Sequence, residues 1–272
     1  MVNPYRLLVV DVDGTLIGRD WRVPAENKRA LYRARQAGIT VSLSTGRRIQ
    51  SCLKIIKELA LDGYHIFYDG ALVSSPSANE EAYAQPLKSE MVKLAVEFCR
   101  ANAIYLELYT TTHFFVERDH WSHQVHRDFF NAEPVMVNLD EIWRSERIVK
   151  AELVLSTEED MEQARVFQGY FKDDFHFSWA MTPAYPDVHF VNIVDPGVSK
   201  GKALRALASH LGISLKETMV IGDGTNDISL LADAGLAVAM GNAHDEVKAI
   251  AHYITLGVER HGLAVAVNKF LL

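Results

Sequence analysis

Short apolar runs that alternate with helical segments near both ends of the chain constrain its fold more than any other feature. The run Leu7–Asp11 is apolar up to its last residue, which is typical of a strand covered on both faces. A helix over Ala25–Ala37, a strand over Thr40–Leu43 and a helix over Arg48–Leu61 follow it. Strands that alternate with helices predict βαβ units and a mainly parallel sheet. The same rhythm returns after residue 195.

The middle of the chain follows another pattern. Ser89–Ala103 has the apolar stripe of an amphipathic helix. Pairs of short strands are predicted after it, at Tyr105–Tyr109 with Phe114–Glu117 and at Phe175–Met181 with Val188–Val194. We therefore expect the α/β class: a Rossmann-like, mainly parallel sheet core of residues 1–83 and 195–272. Residues 84–194 would form an α+β cap domain inserted into that core.

Composition excludes several classes of protein. A chain of 272 residues that is 49% hydrophobic and 23% charged is too apolar for a disordered protein. A net charge of −7 argues against nucleic acid as a partner, and no apolar run reaches the roughly 18–20 residues of a membrane helix. Cys52 and Cys99 lie in unrelated helical segments, so no disulfide is expected. These features favour a cytoplasmic protein, either a monomer or a homodimer.

Acidic residues follow two apolar strands at the points where those strands end. DVDGT occupies residues 11–15, and GDGTND occupies residues 222–227. Because residues two apart project to the same side of an extended segment, Asp11 and Asp13 can face one point. Asp223 and Asp227 add two carboxylates, and ligands bind at the carboxyl ends of strands in open α/β sheets. Hard oxygen ligands of this kind suit Mg²⁺, which is usually shared with a phosphate.

Two basic elements can balance these acids. Lys200, within VSKG at residues 198–201, offers a cation to an anionic substrate. The segment STGR at residues 44–47 adds hydroxyls, backbone N–H groups and a helix N-terminus, which predicts a phosphate seat at Thr45 and Gly46. Arg47 can bind phosphate or another substrate oxygen through two parallel hydrogen bonds. Taken singly, Lys200 and Arg47 are also consistent with solvated surface residues.

These four elements resemble the haloacid-dehalogenase-like superfamily and, within it, the Cof-type branch of sugar-phosphate phosphatases. DVDGT matches the family motif DxDGT, GDGTND matches GDxxND, and TGR and SKG occur between them in the expected order. The resemblance covers essentially the whole chain, with an insert of the size and position of that branch's α+β cap. It implies a Mg²⁺-dependent phosphatase that hydrolyses small phosphomonoesters, in the first place sugar phosphates.

The resemblance also implies the catalytic and metal-binding residues. Asp11 would be the nucleophile that forms an aspartyl-phosphate. Asp13 would protonate the leaving alkoxide and then deprotonate the hydrolytic water. Mg²⁺ would be held by the Asp11 carboxylate, the Asp13 backbone carbonyl and Asp223. Asp227 would be a nearby or water-mediated ligand, with a purely supporting role as the alternative.

The remaining matches concern the phosphate. Thr45 and Lys200 would hold and neutralise the transferring phosphoryl group, next to Gly46 and Arg47, and Asn226 would orient the site. Two other functions fit the same residues. A phosphomutase of related fold would return the phosphoryl group to a retained sugar, and a non-catalytic sensor would only bind a phosphorylated ligand.

Two features stand outside the family pattern. Family members usually carry Asn-Gly after the third strand, whereas this chain has Asp69-Gly70. Asp69 is either the first central residue of a hairpin turn or a contact for substrate hydroxyls. The three-residue spacing of His120, His123 and His126 indicates a polar cap helix rather than a metal site, since no acidic or Cys ligand is expected to complete the set.

Overall fold

The computed structural model of the chain describes residues 3–130, 132–182 and 185–272. Within these ranges the strands are Leu7–Asp11 (β1), Thr40–Ser44 (β2), His65–Phe67 (β3), Leu72–Ser75 (β4), Glu80–Ala84 (β5), Glu107–Tyr109 (β6), Phe114–Val116 (β7), Val135–Met136 (β8), Lys150–Leu155 (β9), His176–Thr182 (β10), Tyr185–Val194 (β11), Thr218–Gly222 (β12), Leu236–Ala239 (β13) and Tyr253–Ile254 (β14). The α-helices are Ala25–Gln36 (α1), Ile49–Glu58 (α2), Ser89–Ala101 (α3), Ser122–Phe130 (α4), Leu139–Ser145 (α5), Glu158–Tyr170 (α6), Lys200–His210 (α7), Ile228–Ala232 (α8), Asp245–Ile250 (α9) and Gly262–Phe270 (α10).

The chain divides into two compact units. The first comprises Met1–Arg47, Cys52–Ala84 and Ser199–Leu272, and the second comprises Arg48–Ser51 and Gln85–Val198. The second unit's long segment thus begins at residue 85 and the first unit resumes at residue 199, where the sequence suggested 84 and 195. The role of the second unit as a cap stays a prediction.

The first unit is built on an eight-stranded sheet in the order β14-β13-β12-β1-β2-β3-β4-β5. The strands from β14 to β3 are parallel, and β4 and β5 extend the sheet in antiparallel fashion. Strand β1 is buried along its whole length because its residues, LLVVD, are covered on both faces. Its neighbours are β12 on one side and β2 on the other. The predicted α/β class with a mainly parallel sheet is confirmed.

The second unit contains a six-stranded sheet in the order β10-β11-β9-β6-β7-β8. All neighbours are antiparallel except β7 and β8. One face carries apolar residues that pack with residues of α3, α5 and α6, among them Leu108, Ala151, Leu153, Val191 and Ile193. Because side chains alternate along a strand, the intervening residues occupy the other face, and several of them are polar and buried. A sheet face with several buried polar side chains is unusual.

Some elements differ from the sequence prediction. The sequence pattern predicts a helix over Lys202–Leu211, but α7 begins two residues earlier, at Lys200, because the Ser199 side chain accepts a hydrogen bond from the Lys202 N–H and caps the helix. The sequence pattern also predicts a third strand over His65–Tyr68, but Tyr68 belongs to the following turn. Strands β5, β8 and β14 and helix α5 were not predicted from the sequence. Strands β8 and β14 have two residues each, and β5, EEAYA, is a largely solvent-facing edge strand without an apolar run.

Two compositional expectations can be compared with the structure. Cys52 and Cys99 are both buried with free thiols. Burial raises the pKa of the Cys52 thiol to about 12, so this thiol is protonated at neutral pH. In the parts of the chain that the structure describes, no helix is both long enough and apolar enough to cross a bilayer.

Candidate active site

The carboxyl end of β1 places Asp11 inside the first unit and Asp13 at its surface. Asp11 is the last residue of β1 and is buried, whereas the side chain of Asp13 is 46% exposed. The chain then turns at Gly14, which has a φ of 86°. A Cβ atom at Gly14 would overlap the carboxylate of Asp223. Glycine therefore allows the loop after β1 to touch the loop after β12.

Asp227 organises the loop that follows β12. Its Oδ2 accepts hydrogen bonds from the backbone N–H groups of Asp223 at 3.0 Å and Gly224 at 3.1 Å. Its Oδ1 accepts from Nζ of Lys200 at 2.7 Å. Both oxygens of Asp227 therefore have protein donors, and this carboxylate joins the loop to the lysine.

Lys200 lies between two carboxylates that are distant in sequence. Its Nζ donates to Oδ1 of Asp11 at 2.7 Å as well as to Asp227, and its side chain is 1% exposed. Burial alone would lower the pKa of this lysine, but the carboxylates of Asp11 and Asp227 raise it above its ordinary value. Lys200 is therefore a permanent cation beside Asp11.

Asp11, Asp223 and Asp227 form what we call the strand-end cluster, with one oxygen of each within 4.8 Å of the others. Burial, reinforced by the Asp227 charge, raises the pKa of Asp11 well above its ordinary value. Burial also raises the pKa of Asp223 to about 6. When all three carboxylates are ionised, the single positive charge of Lys200 leaves the cluster with a net negative charge. A divalent cation bound by these oxygen ligands would supply the missing positive charge. The carboxylate of Asp13 is not part of the cluster.

Thr15 and Asn242 hold Asp223 and were not identified as site residues from sequence. Oγ1 of Thr15 donates to Oδ1 of Asp223 at 2.7 Å, and Nδ2 of Asn242 donates to Oδ2 at 3.1 Å. Nδ2 of Asn242 also donates to the carbonyl of Gly14 at 2.9 Å. Asn242 follows β13, and its position just after an apolar strand is the sequence feature that could have indicated a site residue.

The loop after β2 brings Arg47 to the proposed general acid. Nε and Nη2 of Arg47 donate to the two carboxylate oxygens of Asp13 at 2.9 and 2.6 Å. The Arg47 guanidinium lies 5.0 Å from the ring centroid of Trp21, a cation–π contact. Oγ1 of Thr45, which is buried, accepts a hydrogen bond from the Arg47 N–H at 3.1 Å. Arg47 therefore makes a bidentate contact as predicted, but its partner is the Asp13 carboxylate of the protein and not a phosphate or substrate oxygen.

Asp69 belongs both to a turn and to the site. Asp69 and Gly70 have φ values of 54° and 102°, and the Ala71 N–H donates to the Tyr68 carbonyl, which defines the predicted two-residue turn between antiparallel strands β3 and β4. Asp69 is 7% exposed, and its carboxylate accepts a hydrogen bond from Nδ2 of Asn226 at 2.9 Å. Asn226 is thus tied to a residue outside the matched motifs.

The second unit contains a further group of ionisable side chains. Glu107, His126 and Glu152 form what we call the sheet-face cluster, in which one ligand atom of each lies within 4.8 Å of the others. The polar cap helix expected at the three histidines is α4, and one of them, His126, lies beside two buried glutamates. Glu107 and Glu152 stand opposite each other on β6 and β9, and helix α4 places His126 against them. Pairing of strands more than forty residues apart carries no local sequence signal.

Comparison with known proteins agrees with this geometry. A sequence model of the haloacid dehalogenase-like hydrolases matches residues 8–267. The phosphatase YwpJ of Bacillus subtilis strain 168 is 28% identical to this chain, in a match that covers 98% of this chain and 100% of YwpJ. A haloacid dehalogenase-like hydrolase from Bacteroides thetaiotaomicron has a TM-score of 0.84 at 26% identity, covering 97% of this chain and 99% of its own.

The haloacid dehalogenase (HAD) subclass IIB sugar phosphatase BT4131 has a TM-score of 0.80 at 26% identity, covering 98% of this chain and 100% of its own. The chain therefore belongs to the haloacid dehalogenase-like hydrolases. Within that family it is a Cof-type phosphatase, a hydrolase of phosphoric monoesters.

Proposed function

We propose that the protein hydrolyses small phosphomonoesters, with sugar phosphates as the substrate class, in a Mg²⁺-dependent reaction through an aspartyl-phosphate on Asp11. The observation that carries this proposal is the position of Asp11. Its carboxylate is buried at the end of the central strand, with one oxygen held by Lys200 and with Asp223 beside it. A nucleophile needs this fixed orientation, whereas a surface carboxylate would lose it.

Mg²⁺ would be held by the Asp11 carboxylate, the Asp13 backbone carbonyl and Asp223. The acidity of the strand-end cluster supports this assignment, because burial, together with the neighbouring carboxylates, raises the pKa of Asp11 and of Asp223. When bound, the metal would polarise a phosphoryl oxygen and offset the repulsion between Asp11 and the substrate dianion. Asp227 would act by fixing Lys200 and the backbone at Asp223.

In the first step an Asp11 oxygen attacks phosphorus, the P–O bond to the sugar breaks, and Asp13 gives its proton to the departing alkoxide. In the second step Asp13 takes a proton from water, the hydroxyl attacks phosphorus, and phosphate leaves while the Asp11 carboxylate is restored. Lys200, the Thr45 hydroxyl and the N–H of Gly46 would hold the phosphoryl oxygens. Arg47 orients Asp13 through its two hydrogen bonds.

Sugar phosphates are proposed because the related phosphatase BT4131 is named a sugar phosphatase. The second unit would then act as the cap that limits access to the site, and water would enter after the leaving group has departed. The proposed partner is a small phosphorylated molecule.

The decisive experiment replaces the nucleophile. Asp11→Asn keeps the shape of the side chain but removes its nucleophilicity, so we expect phosphate release from sugar phosphates to fall on the order of 10⁴-fold or more. Asp62→Asn removes one charge from an exposed residue of the same unit and is the matched control. Labelled phosphate should be trapped on Asp11 in the wild type. Trapping on another residue would refute the assignment, and conversion of the substrate into an isomeric sugar phosphate would indicate a mutase.

A further inference from the structure

Asp69 is held rigidly at the point where the proposed phosphate-binding elements meet. Its backbone N–H donates to the Thr45 carbonyl at 3.1 Å, and the Tyr68 N–H donates to the Arg47 carbonyl at 3.2 Å. On the other side, a Cβ atom at Gly70 would overlap the carbonyl of Ser199, the residue that caps α7. The turn is therefore packed between the loop after β2 and the beginning of α7.

The Asp69 carboxylate contacts or approaches three groups that would bind phosphate. A Cβ atom on Gly46 would lie 2.9 Å from both carboxylate oxygens of Asp69, so the carboxylate lies directly against the glycine. Asn226 donates to Oδ1 of Asp69 at 2.9 Å. Asp69 also contributes, after Asp11 and Asp227, to raising the pKa of Lys200. Asp69 is thus the common neighbour of Gly46, Asn226 and Lys200.

The charge of Asp69 adds to a site that is already acidic. Asp69 joins four further carboxylates, against the two cations that contact them, Lys200 and Arg47. With one divalent metal ion bound and Asp13 ionised, these groups carry one excess negative charge; when Asp13 holds the proton that it gives or takes in the reaction, they are neutral before the phosphate dianion enters. In either state, an amide in place of Asp69 would make the site more positive by one charge without changing the size of the side chain.

We propose that Asp69 is a positioning and charge-setting residue, which orients the Asn226 amide and lowers the affinity of the site for phosphate so that the product dissociates. This inference rests on the phosphatase function proposed above. Because a carboxylate only accepts hydrogen bonds, Asp69 fixes Asn226 with its NH₂ group towards Asp69 and its oxygen away. An Asn at position 69 would permit either orientation. The negative charge acts on the bound dianion through the half-buried site, where screening by salt is weak.

The test compares Asp69→Asn, Asp69→Ala and the control Asp62→Asn in the full chain with saturating Mg²⁺. Asn tolerates a positive φ and can still accept from Asn226, so Asp69→Asn removes the charge and keeps the turn. We expect the Kd of inorganic phosphate, measured by calorimetry, and its inhibition constant to fall about 10-fold in Asp69→Asn. Asp62→Asn should leave both unchanged.

Asp69→Ala removes the acceptor as well as the charge, so kcat should fall in this variant by more than in Asp69→Asn. An unchanged or weaker affinity for phosphate in Asp69→Asn would overturn the charge-setting role. Equal kcat values in the Ala and Asn variants would overturn the positioning role. If the wild type releases no phosphate from any phosphomonoester, the proposed function itself fails. If the wild type is active but Asp69→Asn leaves its affinity for phosphate unchanged, only the inference about Asp69 fails.

Discussion

The strand-end cluster and the sheet-face cluster each contain three candidate metal ligands within 4.8 Å of one another, but their electrostatics are opposite. In the sheet-face cluster burial would raise the pKa of Glu107, yet His126, Tyr109 and Ser122 lower it to about 2. Tyr109 and Ser122 donate to this carboxylate at 2.5 and 3.1 Å. In the strand-end cluster the pKa of Asp11 is raised instead. Glu107 is stable as an anion, whereas Asp11 is not.

The difference follows from the position of each cluster in its sheet. Glu107 lies on β6, where Tyr109 of the same strand and Ser122 and His126 of helix α4 donate to its carboxylate. Asp11 lies at a strand end, where the loops bring more carboxylates and one lysine. Proximity of acidic groups therefore does not define a metal site by itself. What distinguishes the strand-end cluster is that its own protein donors leave the negative charge uncompensated.

The largest expected effect comes from removing the lysine that the strand-end cluster shares. Lys200→Met leaves Asp11 and Asp227 buried without their cation, so we expect a loss of about 3–5 kcal/mol in the free energy of unfolding without Mg²⁺. Phosphatase activity should fall on the order of 10²-fold or more. The matched change in the other cluster is Lys150→Met, since Lys150 pairs with Glu152, which also accepts from Tyr109. A larger loss of stability for Lys150→Met would contradict the comparison.

The second prediction concerns the satisfied carboxylate. Because the folded-state pKa of Glu107 lies below its ordinary value of 4.5, its ionised form stabilises the fold above pH 4.5, and this contribution is lost as the pH falls towards about 2. Glu107→Gln should therefore cost about 3 kcal/mol at pH 7 and much less at pH 2.5. Hydrogen exchange at β6 and β9 measures the effect in the second unit. If the wild type and Glu107→Gln are equally protected from exchange at pH 7, the ionised Glu107 does not stabilise the second unit, and the contrast between the two clusters is wrong.

The third and smallest effect has the opposite sign. The folded-state pKa of Asp223 is raised from 3.8 to about 6, so its ionisation opposes folding above pH 6, and this penalty disappears as the pH falls below 3.8. With chelator at pH 7.5, Asp223→Asn should gain about 1–3 kcal/mol in stability, and the gain should vanish near pH 4. Thermal unfolding with and without Mg²⁺ completes the test.

Mg²⁺ should raise the Tm of the wild type, because a ligand that binds only the folded state stabilises it. It should not raise the Tm of Asp223→Asn. In Glu107→Gln, by contrast, the shift produced by Mg²⁺ should equal that of the wild type. A Mg²⁺-dependent shift that is lost in Glu107→Gln and kept in Asp223→Asn would place the metal in the sheet-face cluster instead.

Much of the fold and part of the candidate site were predictable from local sequence. Strand β1 was predicted with both of its ends, because a run of buried residues in a parallel sheet has no polar interruption. The turn at Asp69-Gly70 was predicted for a local reason too, since both residues accept a positive φ. Helix α5 and the short strands were missed because their lengths are too small for a period to show.

By itself, the sequence determined most of the strands and helices in their order and the placement of acidic motifs at the ends of β1 and β12, since backbone propensity and side-chain period act over a few residues. Only the tertiary structure decided which charges meet. Lys200 reaches Asp11 across 189 positions, Asn226 reaches Asp69 across 157, and Glu107 faces Glu152 through strand pairing. Whether a buried carboxylate is stable as an anion depends on the donors that such long-range contacts supply, and no local pattern contains that information.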